Sequence, residues 1–389
     1  MKAALLIGQL ACGGTEKQVA LLAQGLRDRG HDVHVLVMYN GGHWQEFLRE
    51  ERIPVINFRF RRGSLFLPQN ISAFSSLVKW LLRAQPDVLN GYLLRGNVIG
   101  AWAAWFARVP VFVSGQRALT TVTGFSQCIS FPLIRLSNRV TRLIITNAES
   151  VARDVAFRQR VRPEKIAVVY NGLPSSAFEA IPPADIGGTA PVVLAIANLH
   201  RYKGHQYLLD AVARLWNRGL RCVLALAGEG PERTALESRA HRLGIDVRFL
   251  GCRTDVGALL ARADLVVHPG LADGLCNAIM EAMAAGKPIV APDAGGNREL
   301  LDGRGLLVPP RNAEAMANAV ELLLGDRALA ERLGRSAREW SRTRLSVDAM
   351  VEAHADIYIR LLQAAVTSRR PAQKSKRLAV FWQPPNDDR

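Results

Sequence analysis

The chain reads as an α/β protein of two doubly wound parallel-sheet domains, and three observations predict it. Short apolar runs of strand length alternate with amphipathic helical stretches along most of the sequence, the signature of repeated βα units. The runs are continuously apolar, as in parallel strands buried on both faces. The alternation breaks once, over residues 171–190 (NGLPSSAFEAIPPADIGGTA), which hold three prolines, three glycines and no helical period. A chain of 389 residues accommodates two domains. The predicted division is a first domain over 1–172, a linker over 173–190 and a second domain over 191–345. A helix over 346–366 would return to the first domain, and the basic, proline-containing tail 367–389 is expected to be disordered.

In the first half, residues 3–9 (AALLIGQ) form the opening strand, 10–15 a small-residue loop with Gly13 and Gly14, and 16–29 an amphipathic helix ended by Gly30. Paired glycines let backbone approach a ligand closely, although a plain turn explains them too. The GxGxxG fingerprint is missing, which disfavours a dinucleotide-dependent dehydrogenase. Strands follow at 33–38, 55–58, 88–92, 111–114, 143–146 and 166–169, with helices at 71–84, 96–107 and 149–157. The connection 115–142 mixes apolar residues with Arg117, Arg135, Arg139 and Arg142. It reads either as a basic amphipathic helix on a membrane surface or as a core helix with arginines in water.

In the second half, strands at 192–197, 221–227, 247–250, 265–268 and 288–291 alternate with helices at 204–216, 232–243, 256–262 and 275–285. Helices over 312–324, 326–340 and 346–363 complete it. The stretch 264–301 is the most informative. A strand breaks at Pro269-Gly270, turns through Asp273-Gly274 and enters a helix that carries Glu281 eight residues after Asp273. Its front loop lies where open parallel sheets bind ligands. Free N–H groups near Leu275, Cys276 and Asn277 favour an anion. Two carboxylates for hydroxyl groups beside a helix end for phosphate fit a nucleotide sugar. Asp273 alone reads equally as a helix cap. Glu281 stands among Ile279, Met280, Ala282 and Met283, and an acid in so apolar a helix needs a partner or ligand. A second loop, Asn198 to Gly204, sets Arg201 and Lys203 before a helix, as suits a diphosphate. A lysine on such a rim has little packing to lose. Gly228-Glu229-Gly230-Pro231 forms a third loop on the same edge, and the backbone near 251–253 is placed to read a base.

Composition bounds the partners. Hydrophobic residues make up 49% and charged residues 22%, as in ordinary globular proteins. Five scattered cysteines with no CxxC pair read as reduced cytoplasmic thiols, and the eight histidines show no HxxxH metal pattern. No signal peptide or bilayer-spanning run is read. The net charge of +16 is uneven: residues 1–175 hold 22 Lys and Arg against 10 Asp and Glu, whereas residues 176–366 hold 22 of each. A basic half is either merely solvated or faces anionic lipid. Nucleic acid is disfavoured, because no basic recognition helix or aromatic RNA-binding motif appears.

These residues resemble the retaining nucleotide-sugar glycosyltransferases of family 4, with the GT-B fold of two Rossmann-like domains facing across a cleft. The resemblance covers nearly all of residues 1–365. It rests on Gly13-Gly14-Thr15-Glu16, Asn171-Gly172, Leu199 with Lys203-Gly204, Gly228-Glu229-Gly230-Pro231, and the Asp273 to Glu281 spacing. It implies that Lys203 and a nearby arginine, here Arg201, neutralise the leaving diphosphate. Glu281 would bind ribose hydroxyls, Asp273 would contact the transferred sugar, and the Gly13-Gly14 loop would close over the donor phosphates. No metal or other cofactor is implied, since protein cations stabilise the leaving group. The implied partners are a nucleoside diphosphate sugar and a saccharide or lipid-linked acceptor; the basic first half adds an anionic membrane surface as an expected partner. Three positions depart from the pattern: Asp273 replaces the usual Glu, Asn198 the usual Arg, and Gln116-Arg117 stand where many members have a histidine. The rival readings are a nucleotide-sugar-binding homologue without turnover, a transferase for a soluble small molecule, and a phosphorylase-like enzyme. The last is disfavoured by length and by the lack of a pyridoxal-binding lysine motif.

Overall fold

The computed structural model describes residues 1–39, 41–63, 67–119 and 127–367, with backbone alone for 127–131. The chain divides into two compact units: Met1–Gly172 together with the segment from Val347 onward, and Leu173–Ser346. The tail read as disordered lies, from residue 368, outside the described residues.

The first unit begins β1 Lys2–Ile7, α1 Gly14–Asp28, β2 Asp32–Val37, α2 His43–Glu50 and β3 Val55–Asn57. It continues α3 Pro68–Ala84, β4 Val88–Tyr92, α4 Leu93–Ala107, β5 Val111–Gln116, α5 Gln127–Val140, β6 Leu143–Thr146, α6 Glu149–Arg158 and β7 Ile166–Val168. Its seven strands pair in parallel in the order β3-β2-β1-β4-β5-β6-β7. Strand order therefore reverses between β1 and β4, where the carboxyl ends open a crevice. Ala3 to Ile7 are wholly buried, which is why this run shows no polar alternation. The short α2, amphipathic through Trp44, Phe47 and Leu48, is absent from the sequence reading; Gly42 precedes it, and Leu48 is its one buried side chain. Of the connection 115–142, residues 115 and 116 extend β5 and 127–140 form α5, while 120–126 lie outside the described residues.

The second unit contains β8 Val192–Ile196, α7 His205–Asn217, β9 Val223–Ala227, α8 Arg233–Leu243, β10 Val247–Gly251, α9 Val256–Arg262, β11 Leu265–Val267 and α10 Asn277–Ala284. It ends with β12 Ile289–Pro292, α11 Asn297–Leu301, β13 Leu306–Val308, α12 Ala313–Gly325 and α13 Arg327–Arg344. The parallel order is β10-β9-β8-β11-β12-β13, with its reversal between β8 and β11. Side chains of Asn312 and Asp326 accept from Ala315 and Leu329 N–H groups at 2.9 Å and start α12 and α13. Both α11 and β13 escape the sequence reading, because five and three residues are too few to show a period. Residues 173–190 run along this unit, with a 3-10 turn at Ser175–Phe178, a bond from Ala184 N–H to Ala258 O, and Ile186 buried.

The last helix, α14 Val347–Thr367, packs against α1 of the first unit. Tyr358 is fully buried there, and Asn90 on β4 donates to its hydroxyl at 2.6 Å. Among the described residues no helix is long and apolar enough to cross a membrane.

Candidate functional site

The loops after β8, β9 and β11 leave neighbouring strands of the second unit at their carboxyl ends. In the β8–α7 loop, Arg201–Lys203 form one 3-10 turn, closed by Gly204 in the left-handed conformation. Lys203 Nζ lies 2.5 Å from Asp273 Oδ1, a contact across 70 residues of sequence. The other oxygen of Asp273 is 2.8 Å from His268 Nε2, and His268 Nδ1 is 3.5 Å from Cys276 Sγ. Lys203, Asp273 and His268 side chains are 14%, 17% and 1% exposed, so the group is a buried relay. The local sequence explains the turn. Pro269-Gly270 ends β11 and folds the chain back, so that Asp273 meets the histidine five residues before it. A Cβ on Gly270 would lie 2.3 Å from both Asp273 Oδ2 and His268 Nε2, which reserves that position for glycine. Gly296 N–H donates to Asp273 O at 3.1 Å and holds the turn from behind.

Burial opposes every charge in this group, and the partners outweigh it. The Asp273 carboxyl is held well below the carboxylate range: burial would raise it, but Lys203 and His268 favour the anion. Lys203 is raised because Asp273 more than offsets its desolvation. Burial likewise disfavours imidazolium at His268, yet Cys276 and Asp273 lift it to about 9. His205, the first residue of α7, is pushed down to about 4 by burial and by the nearby His268 and Lys203 cations. Neither of its ring nitrogens has a hydrogen-bond partner among the described residues. One donor atom each from His268, Asp273 and Cys276 falls within 4.8 Å of the others, a spacing compatible with a metal. The Lys203 ammonium on the same carboxylate opposes a further cation there.

The structure sorts the sequence candidates. Lys203 and Asp273 meet; Arg201 is exposed and makes no ion pair among the described residues, and Asn198 is exposed beside it. Helix α10 begins at Asn277, two residues later than predicted, with Cys276 as its N-cap. Leu275 and Cys276 therefore belong to the loop, and both are buried. Gly274 packs against Gly296, where a Cβ would lie 2.6 Å from the Gly274 carbonyl oxygen, and the chain completes this turn before the helix starts. Glu281 stands on α10, half-buried, between the buried Met280 and Ala282. Gly228 donates its N–H to Gly251 O at 2.8 Å and has φ +152°, with Ala197 O too close for any side chain. In the first unit, Gly13 precedes α1, with the buried Glu16 carboxyl folded over it and raised by desolvation. Arg117, at the position where a histidine was expected, is buried, donates to Asn171 Oδ1 and lies 5.3 Å from the Tyr92 ring centroid. Sequence reasoning missed His268 and His205. The available signal for His268 was its place as the polar end of an apolar strand, five residues before an acid.

Two family profiles match this chain. Residues 12–176 match the family described as Glycosyltransferase Family 4, and residues 190–326 match Glycosyl transferases group 1. The chain belongs to the family 4 glycosyltransferases. Its two parallel-sheet units are those of the GT-B fold. One relative of this glycosyltransferase is the lipopolysaccharide core biosynthesis glycosyltransferase LpsE of Rhizobium meliloti, 26% identical over 89% of this chain and 95% of that protein. Another is the N,N'-diacetylbacillosaminyl-diphospho-undecaprenol alpha-1,3-N-acetylgalactosaminyltransferase of Campylobacter jejuni, 26% identical over 82% and 88%. Among solved structures, Anabaena HepE in complex with UDP and glucose superposes with a TM-score of 0.81 at 26% identity, covering 92% of this chain and 99% of that one.

Proposed function

We propose that this glycosyltransferase moves a hexose-type sugar from a nucleoside diphosphate sugar to a saccharide or lipid-linked saccharide, with retention of anomeric configuration, in cell-surface polysaccharide or glycolipid assembly. The observation that carries the reading is the Lys203–Asp273–His268 relay at the carboxyl ends of β8 and β11. Lys203 brings a charge, fixed in place before substrate arrives, to the loop beside a helix start where a leaving diphosphate gathers negative charge. Asp273 holds that ammonium as well as facing the sugar, and Arg201 is free to swing onto the phosphates. Glu281 binds the ribose hydroxyls, and the N–H groups from Leu275 to Asn277 bind phosphate oxygens; in the first unit the Gly13-Gly14 loop is a separate candidate for phosphate contact. Asn198 and the Gly228 and Gly274 turns shape the floor. With protein cations in this role, transfer proceeds without a metal, by front-face displacement. The UDP and glucose bound by Anabaena HepE support a uridine donor. The R. meliloti and C. jejuni relatives support a lipid-linked or envelope saccharide acceptor. Such an acceptor places the enzyme on the cytoplasmic side, at an anionic bilayer surface.

The test is a melting-temperature screen with UDP-, GDP-, ADP- and dTDP-sugars, followed by donor hydrolysis and transfer assays. A ligand at about 100 times its Kd adds roughly 2.7 kcal/mol of stability. Stabilisation by one donor without turnover in any acceptor mixture would leave a binding protein instead.

A further inference from the structure

The first unit carries a second polar feature at the opposite edge of its sheet from the Gly13-Gly14 loop. Arg108, Arg142 and Lys165 each stand just ahead of a strand, β5, β6 and β7 respectively, and so gather at the amino edge. With Arg139 and Arg162 they line one cavity, in which Glu164 is the sole acid among the described residues. The four arginines make no ion pair among the described residues and are exposed. Lys165 is half-buried and donates to Asn138 O, and its pKa is lowered by burial and then by Arg162 and Arg142. Like charges crowded in this way favour an anion between them.

The rim of the same cavity is apolar. Trp105 and Phe106, the penultimate residues of α4, are 58% and 55% exposed. Their rings meet edge-on at 4.9 Å, and Phe106 meets Phe74 of α3 at 6.0 Å. One turn before Phe74, Ile71 is 58% exposed. Helix α4 has a single charged residue, Arg95, and is apolar around its circumference. A helix of that kind that still exposes two adjacent aromatics has an apolar partner. Rings packed edge-on to one another, beside an exposed isoleucine, offer no parallel platform for stacking bases. They suit the interface of a bilayer, where Trp and Phe enter the headgroup boundary above cations.

We propose that this amino-edge surface is where the protein docks on an anionic phospholipid bilayer, with lipid phosphates in the Arg108–Arg139–Arg142–Arg162–Lys165 cavity and Trp105 and Phe106 inserted at its rim. The assignment rests on the bilayer reading given under Proposed function and places the contact at this cavity, to which the 115–142 connection contributes Arg139 and Arg142. Docking by the amino edge leaves the carboxyl edge of the sheet, with its ligand crevice, free.

The experiment is sedimentation of the full chain with vesicles of equal parts phosphatidylglycerol and phosphatidylcholine, and with phosphatidylcholine alone. Wild type, Trp105→Ser/Phe106→Ser and Arg139→Glu/Arg142→Glu are compared at low salt and at about 1 M salt. All four positions are exposed, and a thermal melt of each variant confirms the fold. Wild type should pellet only with the anionic vesicles, be released by salt, and lose at least about tenfold in partitioning in either variant. Equal binding by wild type and both folded variants would overturn the assignment to this face while leaving bilayer association standing. No wild-type binding to anionic vesicles would overturn both. Retention of a single-stranded oligonucleotide in place of vesicles, lost in the arginine variant, would overturn the assignment in favour of nucleic acid. The donor screen is independent of all these outcomes.

Discussion

Lys203 is one half of a buried ion pair with Asp273, rather than the rim lysine with little packing to lose that its loop suggests, and this sets what its removal does. Lys203→Ala should lower transfer by about 10²- to 10³-fold, as for loss of one preorganised charge contact. It should also destabilise the fold, by less than the about 3–5 kcal/mol that a wholly unpaired buried charge costs, since His268 still pairs with the other oxygen of Asp273. The double replacement Lys203→Met/Asp273→Leu separates the effects. It should recover most of the stability in denaturant titrations and none of the transfer; recovered transfer would remove the pair from the reaction. Glu281 makes a different claim, on ground-state binding. A charged hydrogen bond is worth about 1.5–3 kcal/mol, so Glu281→Gln should weaken nucleoside diphosphate binding by more than tenfold in calorimetry with little change in melting temperature. Unchanged affinity would return Glu281 to a structural role.

At the scale of an element, the β11–α10 turn matters more than the helix that follows it. Its shape brings His268, Asp273 and Cys276 together, and that shape depends on Gly270, where a methyl group would strike two members of the relay at 2.3 Å. Gly270→Ala should therefore destabilise by about 1–3 kcal/mol, the usual range for overpacking. It should also lower transfer more than it lowers nucleotide affinity, because it moves the relay and leaves Glu281 in place. Wild-type transfer in this variant would show that the relay geometry is not needed. The strands and long helices of the fold were legible in the sequence, because an apolar run or a 3.6-residue period is a local property. The start of α10 was not, since Gly296, about twenty residues later, holds Gly274 in the turn. The brief elements α11 and β13 escaped for lack of length.

For the whole molecule, three buried histidines set opposite slopes of stability against pH. His268 has a raised pKa, about 9, so its contribution is complete below the unfolded value near 6.5 and is lost as pH rises through 9. His205 and His354 are lowered to about 4 and about 3, chiefly by burial, and fold as neutral rings. Below about 6.5 the unfolded chain takes up protons that these rings cannot, so stability falls as pH drops toward 4. Denaturant midpoints should therefore peak near pH 6.5, and His268→Asn should flatten the alkaline side alone. An alkaline limb unchanged in that variant would contradict the pairing of His268 with Asp273.

The sequence by itself determined the class of fold, the two series of βα units, the break between them and the loops that carry chemistry. Each of these follows from apolar spacing and from glycine and proline, which act over a few residues. Only the tertiary structure decided which candidates meet. Lys203 reaches Asp273 across 70 positions while Arg201, two residues away, stays in solvent. His268 joins the relay, Arg117 is buried and bonded to Asn171, and five cations from three segments line one cavity. These pairings depend on which strand ends lie side by side and on burial that strengthens a charge contact or forbids it. No local pattern records either.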